Sequence, residues 1–154
     1  MLDQVLANLA DAKLALPEAA AAKGNYLAYT VTGKLVSLSG SLPIVDGALA
    51  YTGKVGLERD IAYGYEAAQH CVLNALAHLR IASEDFKLFS RIIHLDGFVN
   101  TVDGFSNQPK VVNGASDLLV KIFGEAGQHS RVAVSSNGLP LNATVETRLI
   151  AELK

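Results

Sequence analysis

Arg131 and Glu146 are the residues of this chain whose types and spacing best suit chemistry on a small anion. A guanidinium offers planar, paired donors that match a carboxylate, which a lysine does not. A carboxylate within hydrogen-bond reach can order a water and take its proton. Alternation along Arg131–Ser135 puts Arg131, Ala133 and Ser135 on one face and Val132 and Val134 on the other. Along Thr144–Ala151, Thr144, Glu146 and Arg148 share a face opposite Val145, Leu149 and Ala151. A hairpin centred near Gly138–Leu139 would bring Arg131 and Glu146 opposite or diagonal on one face. The alternative is a surface cross-strand ion pair, which is worth little.

Other groups point to no standard chemistry. Gly53-Lys54-Val55-Gly56 is too short for a phosphate-binding Walker loop. One cysteine and four scattered histidines give no zinc spacing. His70 and His78 share a helix face but stand about 12 Å apart, too far for one metal. Leu38-Ser39-Gly40-Ser41 lacks the first glycine of a nucleophile elbow. Cys71 falls on the buried side of its helix and reads as packing. His94 reads as structural, His129 as a solvated loop residue, and Tyr51, Tyr63 and Tyr65 as core or interface.

The elements that must position these groups follow from periodicity. Leu2, Val5, Leu6, Leu9, Ala12, Leu14 and Leu16 make a helical stripe over 2–16, ended by Pro17. An alanine-rich connector, 18–23, leads to Gly24-Asn25. Tyr26–Thr32, Gly33-Lys34 and Leu35–Ser39 read as strand, turn and strand. Gly40, Pro43 and Asp46-Gly47 turn the chain again before a short strand within Ala48–Lys54. Asp60 caps a helix over about 60–81, with Ile61, Tyr65, Ala68, Val72, Ala75, Leu76 and Leu79 on one face. Phe89–Val99 is a strand. A second long helix starts near Asn107-Gln108-Pro109 and ends at Gly124 and Gly127. Arg131–Ser135 and Thr144–Ala151 are the last strands. This order predicts an α+β domain, one mixed sheet with helices packed on one face. The other face must meet solvent or another subunit.

Composition narrows the function classes. The 154 residues suit one domain, and half are hydrophobic against 18% charged, which excludes disorder. The net charge of -2 offers no basic stripe, so a nucleic-acid partner is not expected. No run approaches the ~20 apolar residues of a membrane span, and Asp3, Asp11 and Lys13 interrupt the apolar start where a signal peptide would be continuous. No membrane partner is expected. The single cysteine fits a reducing, cytoplasmic setting.

Several stretches, taken in order, resemble the Rid family, also called the YjgF or L-PSP endoribonuclease family. They are Gly24-Asn25-Tyr26, Val36–Pro43, Tyr51–Gly56, Ala67-Ala68-Gln69 with Asn74-Ala75-Leu76, Val112–Leu119, and the tail from Gly124 through Arg131 to Leu139-Pro140 and Val145-Glu146. The likeness covers about residues 24–150 and is closest to a YjgF-like subgroup with an extra N-terminal segment. It divides the chain into an N-terminal helical extension, 1–23, and a family-like domain, 24–154. The resemblance implies a chorismate-mutase-like fold assembled as a homotrimeric barrel, with sites in clefts between subunits. It implies a cofactor-independent and metal-free hydrolase that deaminates small enamine or imine acids, such as 2-aminoacrylate, to 2-keto acids and ammonia.

By position, Arg131 resembles the family's carboxylate-binding arginine, and Glu146 the glutamate that orders or deprotonates the attacking water. Asn113 resembles the polar residue lining the pocket from the second long helix. Tyr26 and Ser39 resemble side chains supplied by the neighbouring subunit. Ala133 stands where many members carry cysteine, so only its backbone N–H can serve as a donor. Ser41 stands where many have glutamine. Two further functions stay open: a trimer that binds or senses a small carboxylate without turnover, and an endoribonuclease, against which the charge counts.

Overall fold

In a computed structural model describing all 154 residues, Met1–Lys154, the long apolar run Phe89–Asn100 forms the strand around which the sheet is built. In chain order the elements are α1 (Leu2–Asp11), β1 (Tyr29–Thr32), β2 (Leu35–Leu38), β3 (Ile44–Val45), β4 (Ala48–Leu49), α2 (Ile61–Ala82), β5 (Phe89–Asn100), α3 (Gln108–Phe123), β6 (Ser130–Ser136) and β7 (Val145–Leu153). Five strands make one sheet in the order β1-β2-β7-β5-β6, and β3 and β4 form a separate small hairpin. All pairs in the main sheet are antiparallel except β5 with β6. The parallel pair is a consequence of α3, which provides the crossover that two parallel neighbours require.

The fold is therefore the expected mixed-sheet α+β class, but the expected β6–β7 hairpin does not form. β7 pairs with the opposite side of β5 from β6. A hairpin would have left one flank of β5 at the sheet's edge, although this strand is rich in β-branched and aromatic residues and mostly buried. The connection instead crosses the end of β5. There the buried Asn100 donates its amide to Asn142 Oδ1 and the Ala143 carbonyl, each at 3.1 Å. Lys54 Nζ donates to Asn100 Oδ1 at 3.1 Å, tying a third loop to the same point.

α2 and α3 cover one face of the sheet. Asp60 caps α2 by accepting from the Tyr63 N–H at 2.8 Å. Small residues let the two helices approach: a Cβ on Gly114 would collide with the Tyr65 carbonyl oxygen. Between helices and sheet lies a core of 27 buried residues, including Leu76, Leu79, Leu95, Val99, Leu119 and Leu149. Cys71 belongs to it, its thiol donating to the Val145 carbonyl at 3.3 Å and raised well above its usual pKa by burial.

α1 is shorter than its apolar stripe suggests, ending at Asp11 rather than near Pro17. Lys13 takes a left-handed φ of 58°, and the N–H groups of Ala12 and Leu14 turn back on the Leu9 carbonyl. Leu14 and Leu16 pack against the core from outside the helix. Val5 and Leu9 are each only 1% exposed and sit in the same core as α2 and α3, and Asn8 donates to the Ile122 carbonyl at the end of α3. The strand expected over Tyr26–Thr32 begins only at Tyr29.

Since Leu9 fills a closed site, Leu9→Ala is expected to destabilise the fold by about 2–4 kcal/mol. Urea unfolding followed by circular dichroism should show a lower midpoint with an unchanged slope.

A candidate active site split between two faces of the sheet

Registers fix which face each candidate occupies. Arg131 pairs with Leu95, which pairs with Leu149, and both leucines are core residues. Arg131 therefore points to the helix-packed side. It reaches α3, where its Nη1–H donates to Ser116 Oγ at 2.9 Å and its Nη2–H makes a long 3.4 Å contact with the Pro109 carbonyl. Glu146 pairs with Phe98, which pairs with Val134, one residue out of phase with the core row Val99–Val145. Glu146 therefore belongs to the face that no helix covers.

The expectation that Arg131 and Glu146 share a face is overturned. With β5 between their strands, the two backbone positions stand roughly 14 Å apart, from two strand spacings across and three residues along. They also point in opposite directions.

Around Arg131 the structure gathers Asn113, Ala133, Ser116 and His129. Asn113 precedes Ser116 by three residues, on one face of α3. Ala133 shares the inward side of β6 with Arg131 and packs at the margin of the core. His129 is not the freely solvated loop residue expected. It is half-buried, with Nε2 at 3.0 Å from Ser116 Oγ and Nδ1 at 2.6 Å from the Gly127 carbonyl. Burial holds its pKa below the usual value; the hydrogen bond to Gly127 opposes this, and the neighbouring Arg131 and His94 act in the same direction as burial.

Against Glu146 it places Gly40, the neighbour of Ser39, whereas Tyr26 is largely exposed and meets Ser39 and Gly40 only along a cavity. Gly40 leaves the space that the carboxylate fills, because a Cβ there would collide with Glu146 Oε1. Burial raises the Glu146 carboxyl above its ordinary value, with no cation offsetting it. Ser39 Oγ donates to the Leu27 carbonyl at 2.6 Å. Tyr26, Ser39 and Gly40 line an open cavity of about 250 Å³ together with Ala20–Lys23, Leu42 and His78. Neither Arg131 nor Glu146 lines it.

The uncovered face also holds an ion cluster that periodicity did not reveal. Arg148 donates to Asp96 Oδ2 through Nε at 2.7 Å and Nη2 at 2.6 Å, and His94 Nε2 lies 3.1 Å from Asp96 Oδ1. The signal lay in the register of β5 on β7, which puts Asp96 opposite Arg148. Ser116 had a weak signal, its helical spacing from Asn113. No three His, Cys, Asp or Glu side chains come together as metal ligands, and no helix is long and apolar enough to cross a membrane.

A mixed five-stranded sheet with two long helices on one face, and polar clusters at its two sides, defines a chorismate-mutase-like α+β protein. Residues 6–153 match a family model described as "YjgF/chorismate mutase-like, putative endoribonuclease". Protein TCP17 of Trypanosoma cruzi is 38% identical over 97% of this chain and 94% of its own. The crystal structure of Atu1372 from Agrobacterium tumefaciens, a protein of unknown function, superposes with a TM-score of 0.94 at 39% identity, covering 99% of this chain and 94% of that one. A second bacterial structure, from Shewanella oneidensis, is 40% identical with a TM-score of 0.92 over 97% of this chain and 99% of that one. The chain belongs to the YjgF, or Rid, family.

Two outcomes follow from the Glu146 niche. A carboxyl whose folded pKa is raised favours folding below its unfolded pKa and loses that advantage as pH rises through the folded value. Glu146→Gln should therefore raise Tm at pH 7.5, and the gain should vanish at pH 4. Gly40→Ala should push the carboxylate out into solvent, so that its pKa, followed by carbon-detected NMR titration, falls back toward the ordinary glutamate value.

Proposed function

We propose that the protein hydrolyses small enamine or imine acids of the 2-aminoacrylate type to 2-keto acids and ammonia, at sites shared between subunits of a homotrimer. The observation that carries this reading is the state of Arg131. Arg80, Arg91 and Arg148 are each paired with a carboxylate, whereas Arg59 and Arg131 have none within 4 Å; Arg59 is occupied by the Thr52 carbonyl and the face of the Tyr63 ring, and Arg131 is held by a hydroxyl and a carbonyl on the side of α3. A guanidinium oriented by neutral groups keeps its charge and its remaining donors for an external anion.

Glu146 is the complementary half. Its carboxyl is raised by burial and balanced by no cation, which makes it a stronger base than an ordinary glutamate. Opposite faces of one sheet cannot meet on one small molecule, so Arg131 of one subunit would work with Glu146, Tyr26 and Ser39 of the next. Val132 and Val134 support such packing, because they leave apolar side chains 45% and 43% exposed on the uncovered face.

The chemistry is short. The enamine tautomerises to the imine, which takes a proton from solvent to become the iminium, and its carboxylate sits on Arg131 beside Asn113 and the Ala133 N–H. Glu146 takes a proton from water as the oxygen bonds to the iminium carbon. That proton passes to the nitrogen of the carbinolamine, the C–N bond breaks, ammonia leaves, and the remaining hydroxyl loses its proton to give the keto acid. Orientation and electrostatics supply the acceleration. An endoribonuclease would need a cationic track for the phosphate backbone, whereas Arg131 is one fork beside small polar groups.

The test is keto-acid release from 2-aminoacrylate generated in situ. Arg131→Ala and Glu146→Gln should each abolish the enzymatic rate. Co-refolding the two inactive variants in equal amounts should restore about a quarter of wild-type activity, because each shared site has an even chance of an intact residue at either position. No loss in Arg131→Ala would overturn the deaminase; loss without restoration would overturn the shared site.

A further inference from the structure

Resting on the carboxylate role of Arg131 proposed above, we infer that His129 is a positioning residue that aims the guanidinium through Ser116 and does so only in its neutral form. The hydrogen bonds run in one direction. The Gly127 carbonyl can only accept, so the proton of neutral His129 sits on Nδ1, 2.6 Å away. Nε2 is then an acceptor and takes the Ser116 hydroxyl proton across 3.0 Å. With its proton turned toward the imidazole, Ser116 Oγ presents a lone pair to Arg131 Nη1–H at 2.9 Å. Each link is satisfied and each fixes the orientation of the next.

This chain explains why a serine on α3 meets an arginine that has no acidic partner. A carboxylate in that place would orient the guanidinium equally well but would neutralise it and compete with an incoming anion. A hydroxyl whose rotor is locked by an imidazole gives direction without cancelling charge. The two-residue spacing of His129 and Arg131 puts both on the inward side of the β6 end, and Ser116 lies between them on α3.

Protonation would undo the arrangement. An imidazolium has no acceptor, so Nε2–H and Nη1–H would both need the oxygen of Ser116, with positive charge on either side of it. The groups facing His129 are Ser116 from α3, the Gly127 carbonyl from the turn before β6, Arg131 from β6 and His94 from β5. Arg131 and His94 can carry only positive charge and favour the neutral ring, while the Gly127 carbonyl, which accepts from either form, pulls the other way and is outweighed by burial. At neutral pH the chain is intact; below the His129 pKa it fails. The simple alternative, an added positive charge that draws anions more strongly, has the opposite sign.

The experiment measures binding of 2-oxobutyrate by isothermal titration calorimetry from pH 5 to 8, with circular dichroism confirming the fold of each variant. Wild-type affinity should fall toward pH 5. His129→Ala and Ser116→Ala should each weaken binding about tenfold at pH 7.5, the loss of one charge-assisted hydrogen bond. His129→Gln can accept the serine proton without titrating, so it should restore affinity at pH 7.5 and hold it at pH 5. Affinity that is unchanged in His129→Ala, is not rescued by His129→Gln, or rises toward acid would overturn the inference. Wild type that does not bind, or Arg131→Ala that binds like wild type, would instead overturn the role of Arg131.

Discussion

One strand, β5, decides where everything else goes. It accepts β6 in parallel on one flank and β7 antiparallel on the other, and so it sets the phase of both. The C-terminal segments, adjacent in sequence, are parted by its width. Arg131 is turned toward the helices, and Glu146 toward the face they leave bare. The fold thereby keeps a strong cation and a half-buried carboxylate from quenching each other. Had they met within one chain, the result would have been an ordinary ion pair with little left for a ligand.

Much of the architecture was legible in the sequence, because it rests on local signals. The stripe after Asp60 locates α2 to within a residue at each end, and Pro109 and Gly124 bracket α3. Alternation divides β6 and β7 each into two sets but not into inward and outward ones: on β6 it is Val132 and Val134 that face out. Strand order does not follow either, since periodicity sorts the side chains of a strand but does not name its neighbour. The tight connection through Leu139-Pro140 resembles a hairpin. In the fold it is a bridge over the end of β5, with Leu141 and Asn142 in left-handed conformations and Asn100 beneath.

Candidate residues could be named from the sequence, but where each would sit in the sheet could not. Arg131 and Ala133 fall on the helix-packed side of the sheet and Glu146 on the uncovered side, and no sequence pattern makes that division. From sequence, His129 reads as a solvated loop residue, because a histidine before a strand usually is one. What changes its surroundings is the 3-10 turn at Gly124–Gly127, which folds the chain back so that a carbonyl and a helix serine enclose the ring. The Asp96–Arg148 pair was invisible for the same reason as the strand order.

Cys71 has a use that its packing role conceals. The only thiol of the chain is sealed between α2 and β7, bonded to a strand carbonyl and held protonated. A thiol-reactive dye can reach it only in molecules whose longest helix has lifted from the sheet. Labelling rate thus becomes a native clock for opening of the helix layer, with no engineered probe and no disturbance of either polar cluster.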